Sequence, residues 1–497
     1  MQKFGKAQAA GRIEDQRFLT GAGRYVDDIA PKDALFALFF RAPVGHGRID
    51  HLDVSAAEAA PGVHLVLTAD RLRSAGVTLG MKGATVGNRD GSRGAEPERP
   101  VLATGRMRYV GEPVAMVVAQ TLDQARDALD LIDLRHTDLD AKLDLAPGGA
   151  VLHAEAPSNC AYDYGLGDAA AVEAALSGAA HRVALEVVHN RVIVNSMEPR
   201  AAYAEWQDGR LHFCVNGQGV WGQKGELARM LGLDPAAVRV TNPDVGGGFG
   251  MKAMTYPEYV TLAQAARNLG RPVRWLSDRT EAMLTDNGGR DLVARAELGF
   301  DSDFKITAYR VDAKSNLGAY NSQFGQPIQS ELFSKVLTGV YDIQNAYLGA
   351  RGFYTNTTPM DAYRGAGRPE AILTLERVMD HAARVLGVDP FDLRHRNFIT
   401  TFPYKMMNGE VVDNGDFSRV LNRLHDEADV TGFAVRAQAS AAKGLLRGRG
   451  LTSYIESILG DPSETAKLVF DADGGVSLYV GTQSNGQGHE TVYTRML

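Results

Sequence analysis

Apolar positions along the first third of the chain fall into short runs. Residues 34–40, 63–67 and 114–119 are nearly continuous in apolar residues and read as strands. Polar, glycine-rich loops separate them, notably over residues 81–100. Ala125, Leu129 and Ile132 recur at helical spacing and predict a helix over residues 122–132. This part reads as a first α/β domain over residues 15–140. Residues 138–167, rich in Ala, Pro, Gly and Asp, predict a linker crossing the surface. A short Ala-rich helix near residues 169–176 follows, then strands at 182–188, 201–206 and 211–215. The helix expected over residues 220–231 ends at Gly232. A strand at Val238–Thr241, a helix at Pro257–Leu269 and a strand at 273–277 form a β-loop-α-β unit, which favours parallel pairing of the two strands. Residues 292–360 read as short strands alternating with loops. From Pro369, Ile372, Leu375, Met379, Ala382, Ala383 and Leu386 mark one long helix. A boundary is expected near residue 410, and the last apolar strand at residues 476–481. The divisions are therefore 15–140, 141–410 and 411–497, in a mixed α/β protein.

Three times this pattern is interrupted by a glycine-rich turn that leads toward a helix. The turns are GGGFG at residues 246–250, YRGAGRP at 363–369 and GQGHE at 486–490. Glycine permits positive φ and a close approach of a ligand to the backbone, and the exposed N–H groups suit an anion or the polar edge of a heterocycle. Taken singly, each turn is a tight connection. Together they form a set. Arg364 and Arg368 flank the second turn at a helix start, where guanidinium forks can hold an anion; the plainer use of these arginines is an ion pair with Glu370 or Glu376. The third turn offers two amides, Gln483 and Gln487, Gln218 is another beside glycines, and a carboxamide matches an amide-like heterocycle edge such as that of a pterin. No Gly-Lys-Ser/Thr follows any of the three turns, and none of the three is the Gly-x-Gly-x-x-Gly fingerprint, so a nucleotide is not the first expectation.

Composition excludes more than it selects. A hydrophobic content of 44%, a charged content of 23% and a net charge of −7 describe an ordinary globular chain without a basic surface for nucleic acid. No apolar run is long enough to span a bilayer and no secretory leader is visible, so the expected location is the cytoplasm. The two cysteines, Cys160 and Cys214, cannot hold a disulfide framework, a four-cysteine zinc site or a cysteine-ligated iron–sulfur cluster. The histidines lack zinc spacing, and His489 reads as a structural residue. Glu112 and Glu198 precede prolines and read as rigidly placed structural carboxylates.

Seven segments in this order resemble the molybdopterin-binding large subunits of the xanthine oxidase, aldehyde oxidase and carbon monoxide dehydrogenase family: GRIEDQRFLTGAGRYVDDI (11–29), RYVGEPVAMVVA (108–119), NSMEPRAAYAEW (195–206), NGQGVWGQKGELARMLG (216–232), VGGGFGMK (245–252), AYRGAGRPEA (362–371) and GTQSNGQGHET (481–491). The form is similar to the second, carbon monoxide dehydrogenase-like type. The resemblance implies a hammerhead α/β domain followed by two molybdopterin-binding α/β domains, the last incomplete. It implies that Gln218 bonds an oxo group of the molybdenum. It places Gly247, Gly248, Phe249 and Gly250 on the loop passing the metal, with Arg364 beside it, and Gln483, Gly486, Gln487 and Gly488 around the pterin. Ala253 and Ala366 take substrate positions. The resemblance implies that the metal is held by the pterin dithiolene, with no direct protein ligand.

Carbon monoxide dehydrogenases carry a cysteine where Gly365 stands, and xanthine enzymes a glutamate where Ala253 stands, so an aldehyde or an N-heterocycle is the expected substrate. The family's general-base glutamate lies beyond the third turn and is absent from this chain. The resemblance thus implies an oxidoreductase subunit with molybdopterin, as such or as its cytosine dinucleotide form. Iron–sulfur and FAD subunits carrying [2Fe–2S] clusters and flavin would be its partners in a hetero-oligomer. The rival reading is a catalytically incomplete fragment or a pterin- or partner-binding scaffold.

Overall fold

The computed structural model describes residues 11–460 and 463–497. In chain order the elements that build the site are β1 (Leu35–Arg41), β2 (Gly47–Asp53), β3 (Val63–Thr68), β4 (Pro113–Ala119), α1 (Leu122–Leu129), β5 (Asp133–Asp138), β6 (Cys160–Leu166), α2 (Ala169–Ser177), β7 (His181–Val192), β8 (Ala201–Gln207), β9 (Arg210–Val215), α3 (Trp221–Leu231), β10 (Val238–Thr241), α4 (Pro257–Leu269), β11 (Val273–Leu276), β12 (Gly289–Phe300), β13 (Ile306–Gly318), β14 (Ala346–Tyr354), α5 (Arg368–Leu386), β15 (Ala466–Phe470), β16 (Val476–Val480) and α6 (His489–Met496). The architecture is mixed α/β. No helix among the described residues is long and apolar enough to cross a membrane.

The main sheet has seven strands in the order β10-β9-β8-β11-β1-β4-β3. Its join is the parallel pair β1–β11, with Leu35 opposite Val273. The three N-terminal strands and the four from residues 201–276 are therefore one sheet. Helix α4 lies across that join, burying Tyr259, Val260, Leu262, Ala263 and Ala266 against both sets of strands. It begins at Pro257, whose missing N–H costs nothing in a first turn, and ends at Gly270 with φ 59°. The β-loop-α-β unit differs from expectation in one respect. β10 and β11 run parallel but are not neighbours, because the β8–β9 hairpin lies between them. Short-range pattern sets direction, whereas adjacency depends on where the earlier hairpin has already paired.

The second sheet has five strands, β7-β12-β13-β14-β6. Residues 292–360 are not short strands alone: β12 has 12 residues and β13 has 13. Their charged residues alternate with apolar ones and so interrupt every apolar run, yet they lie on the outer face of a half-buried sheet. The expected linker also contains a strand. β6 pairs with β14 at the sheet edge, where its Gly- and Asp-containing sequence carries little apolar signal. Helix α5 covers the inner face, burying Ala371, Leu375, Val378, Met379, Ala382 and Ala383 against Val183, Leu292, Ala294 and Ala296. Its C-terminal Gly387 adopts φ 69°. Beyond residue 410, β15 and β16 form a hairpin, and α6 follows Gly488.

Candidate cofactor site

The first glycine turn leaves β10 at the sheet end. Phe249 sits at φ 52°, a left-handed conformation that costs a bulky residue of order 1–3 kcal/mol and persists only where neighbours enforce it. Three bonds do so. Gly250 N donates to Gln218 Oε1 at 2.7 Å, Arg364 N donates to Phe249 O at 3.0 Å, and Gln218 N donates to Lys252 O at 3.0 Å. A Cβ is excluded at Gly250 by backbone, and at Gly248 it would push the Gln218 side chain from its place. A Cβ on Gly248 would lie 2.5 Å from Gln218 Cδ, and one on Gly250 would lie 2.7 Å from Ala362 O. Behind the turn, Glu198 Oε2 accepts from Gly246 N at 2.8 Å and from Lys252 Nζ at 3.2 Å. Lys252 is fully buried; burial pulls its ammonium down to about 8, against the pull of Glu198.

The second turn is held from β12. Arg290 and Asp291 both adopt left-handed φ, 65° and 62°. From there Arg290 donates to the carbonyls of Tyr363 (3.2 Å) and Arg364 (2.7 Å) and pairs with the buried Glu370 at 3.1 Å. Burial raises the Glu370 carboxyl and Arg290 opposes that rise. The ion pairs open to Arg364 and Arg368 do not form with Glu370 or Glu376. Glu370 is taken by Arg290, Glu376 by Arg394 at 2.8 Å, and Arg368 pairs with Glu456 at 2.5 Å. The Arg364 guanidinium meets no acceptor among the described residues.

The third turn is stapled by Gln483. Its Oε1 accepts from Gly219 N at 2.5 Å and its Nε2 donates to Gly217 O at 2.7 Å, across more than 260 residues. Gln487 spends its amide inside the turn, accepting from Asn485 N and donating to Gln483 O at 3.1 Å. Gly486 and Gly488 take φ 105° and 85°.

The three turns meet around a cleft of about 580 Å³, lined by Gln218, Gly248, Phe249, Gly250, the segment 362–366, Asn485, Gly486 and Gln487. Of the expected site residues, Gln218, Gly248, Phe249, Gly250, Arg364, Ala366, Gly486 and Gln487 are on its wall. Gly247, Gln483 and Gly488 lie behind it as frame. Ala253 is in the short turn Met251–Ala253 and packs against the core under the seven-stranded sheet, away from the wall. Glu112 accepts from Arg108 N at 2.6 Å and Tyr320 OH at 2.7 Å, buried and distant from the cleft. Glu198, Lys252 and Arg290 escape a reading of the sequence as site residues, because their partners lie between 48 and 80 positions away. The only local signal is Glu198 in its Met-Glu-Pro context.

The donor set suits an anionic, amide-edged ligand. Gln218 Nε2 and the Arg364 guanidinium have no partner among the described residues, and the bare backbone at Gly248 and Gly250 permits a ligand to lie against the chain. Among the described residues no cluster of His, Cys, Asp or Glu is arranged to hold a metal directly. A group that brings its own metal ligands, as a pterin dithiolene does, fits these walls.

Comparison with known proteins agrees with this donor set. Residues 152–398 and 423–497 match models of the molybdopterin cofactor-binding domain, and residues 20–140 match the a/b hammerhead domain of aldehyde oxidase and xanthine dehydrogenase. The chain belongs to this family. Its hammerhead and molybdopterin-binding portions follow the family order. The nicotine 6-hydroxylase large subunit of Paenarthrobacter nicotinovorans is 34% identical over 98% of this chain and 61% of that protein. The carbon monoxide dehydrogenase large chain of Hydrogenophaga pseudoflava is 31% identical over 97% of this chain and 63% of that one. The crystal structure of quinoline 2-oxidoreductase from Pseudomonas putida 86 superposes with a TM-score of 0.92 at 30% identity, covering 98% of this chain and 63% of that one. The chain thus spans about three fifths of the length of these relatives.

Proposed function

We propose that this chain is the molybdenum-pterin-binding part of a hydroxylase or dehydrogenase. In this reading it acts on an aldehyde or an N-heterocycle and passes electrons to [2Fe–2S] and FAD partner chains in a hetero-oligomer. The observation that carries the reading is the convergence of the three glycine turns, each more than a hundred residues from the next, on one cleft. When bound, a molybdenum pterin, as such or as its cytosine dinucleotide, supplies two-electron oxidation with oxygen drawn from water. The chain's own part is to bind and orient. The Gly248 and Gly250 backbone lets the group lie close, and Gln218 Nε2 and Arg364 present preorganised donors where negative charge develops. Gly486 and Gln487 supply the opposite wall.

Two positions support the substrate class of this reading. A Cβ at Gly365 would lie 2.3 Å from Pro369 Cγ, at φ 98°, so the copper-carrying cysteine that the resemblance assigns to carbon monoxide enzymes does not fit here. Ala253 offers no carboxylate for a purine and is off the cleft wall. Two relatives whose names specify nitrogen heterocycles, nicotine and quinoline, support the heterocycle side of the reading.

A second reading has one observation in its favour: no Asp or Glu is among the described residues lining the cleft. On that reading the chain binds the cofactor without turning over by itself, a general base coming from outside residues 1–497. Co-expression with molybdopterin-synthesis genes, followed by metal analysis and assay of released pterin, tests both. The proposal expects about one molybdenum per chain. Metal and pterin at background levels would overturn both readings. Stoichiometric metal without oxidation of N-heterocycles or aldehydes would select the second.

A further inference from the structure

The segment of residues 12–17 is bonded to the third turn and the first turn of α6 at four points, across 473 to 478 positions of sequence. Arg12 Nη2 donates to Gly486 O at 3.0 Å, and Ile13 N donates to Thr491 Oγ1 at 2.8 Å. Thr491 Oγ1 donates in turn to Glu14 Oε2, and Arg17 Nη1 meets Glu490 Oε2 at 2.7 Å. The other arm of Arg17, Nη2, reaches Asp244 Oδ1 at 2.9 Å, just before the first turn. Asp244 is also fixed by Arg24 N at 2.8 Å. One guanidinium therefore bridges the first and third walls of the cleft without lining it. Glu14 is 2% exposed and Thr491 8%, so the contact is a packed one and not a chance surface meeting. Helix α6 starts at Gly488, which has no capping side chain; the Glu14 carboxylate places negative charge at that helix start.

We infer that residues 12–17 are a strap that fixes the third turn on the cleft, with Arg17 as the positioning residue through which cofactor retention depends on the N-terminal segment. The inference rests on the reading of the cleft as a pterin site. Among the described residues, the other long-range tie of residues 483–488 that involves a side chain of this segment is Gln483 to Gly217 and Gly219. A turn held by few bonds opens locally at low free energy. The affinity of a ligand that needs the closed turn falls in proportion to the closed fraction.

Two measurements test the strap. In the first, hydrogen exchange is followed on the full chain without cofactor. In Arg17→Gln, amides of residues 483–491 are expected to exchange about tenfold faster, with those of α4 unchanged, and Arg17→Lys is expected to recover most of the protection. Arg126→Gln, which removes a surface pair with Asp123 on α1, is the control and changes neither. In the second, the same variants are co-expressed with molybdopterin-synthesis genes, and pterin per chain is expected to fall about fivefold or more in Arg17→Gln alone. Unchanged exchange in residues 483–491 overturns the strap, as does full pterin content in Arg17→Gln. If Arg17→Gln does not accumulate as folded protein, Thr491→Val, which removes the bonds to Ile13 and Glu14, is read in the same way. Wild-type chain that takes up no pterin overturns the cofactor reading instead, and the exchange measurement still decides the strap.

Discussion

Arg364 differs from its neighbours in charge pairing. Arg290, Arg368 and Arg394 are each bound to a carboxylate, while the Arg364 side chain reaches none among the described residues. Replacing it with alanine is expected to change unfolding free energy by less than about 0.5 kcal/mol, since its side chain makes no hydrogen bond or ion pair among the described residues. The same variant is expected to lose most of its molybdenum and pterin. A chemical melt and a metal assay on one preparation check both halves. Lys252 is the opposite case, fully buried with only Glu198 and a narrow set of charges, Asp286 and Arg200, around it. Its folded pKa of about 8 lies below its unfolded value, so above that pH the unfolded chain binds the extra proton. Stability attributable to Lys252 therefore rises with pH from about 8 toward 10.5, by roughly 1.4 kcal/mol per unit, and below that window the buried charge is a cost. Urea titrations of wild type and Lys252→Met across pH 7–10 should show a difference that grows with pH. A constant difference would contradict the assignment.

Among the elements, helix ends were the easiest to read and strand partners the hardest. Gly232, Gly270 and Gly387 each close a helix at positive φ, as their places after a periodic run imply. Pro257 and Pro369 mark helix starts for an equally local reason. The polar strands β5 and β6 carried no comparable signal, because an edge strand is held by backbone bonds and needs few apolar side chains. Glycines that look alike in sequence also differ in what surrounds them. Gly232 has open space around its would-be Cβ, whereas a Cβ on Gly367 would lie 2.2 Å from Ile328 O. Gly232→Ala is expected to cost about 1 kcal/mol, from the left-handed φ alone. Gly367→Ala is expected to cost several times more and to displace the second turn. Thermal melts rank the pair, and equal losses would show that the backbone near Ile328 yields.

At the scale of the molecule, the join between the N-terminal strands and the central ones hides a charged cluster. Arg200, 0% exposed, contacts Glu258 at 3.1 Å and Asp286 at 2.5 Å and stacks 3.8 Å from the Tyr256 ring. Arg41 from β1 reaches the same Glu258 at 2.9 Å. Burial alone would raise the Glu258 carboxyl, but Arg200 and Arg41 override it and hold it at about 2. That pKa lies below the unfolded value, so this contribution is complete above about pH 4.5 and is lost as pH falls toward 2. Glu258→Gln leaves Arg200 short of a partner and is expected to cost about 3–5 kcal/mol at neutral pH. It should also flatten acid unfolding between pH 4.5 and 2. A wild-type-like acid profile in the variant would show that Glu258 does not carry the effect.

The sequence by itself determined the class, the order of the parts and the walls of the cleft. Glycine turns, helix caps and apolar periodicity are local constraints, written within a few residues of where they act, and Gln218, Phe249, Arg364 and Gln487 were legible for that reason. Only the tertiary structure decided how those walls are held. It joined β1 to β11 into one sheet, took Ala253 off the cleft, and showed that Glu198 with Lys252 backs the first turn, Arg290 the second, and Gln483 with Arg17 the third. Each of these contacts depends on side chains tens to hundreds of positions apart. No local pattern encodes such a distance, because it is set by how the sheets pack and not by the residues on either side.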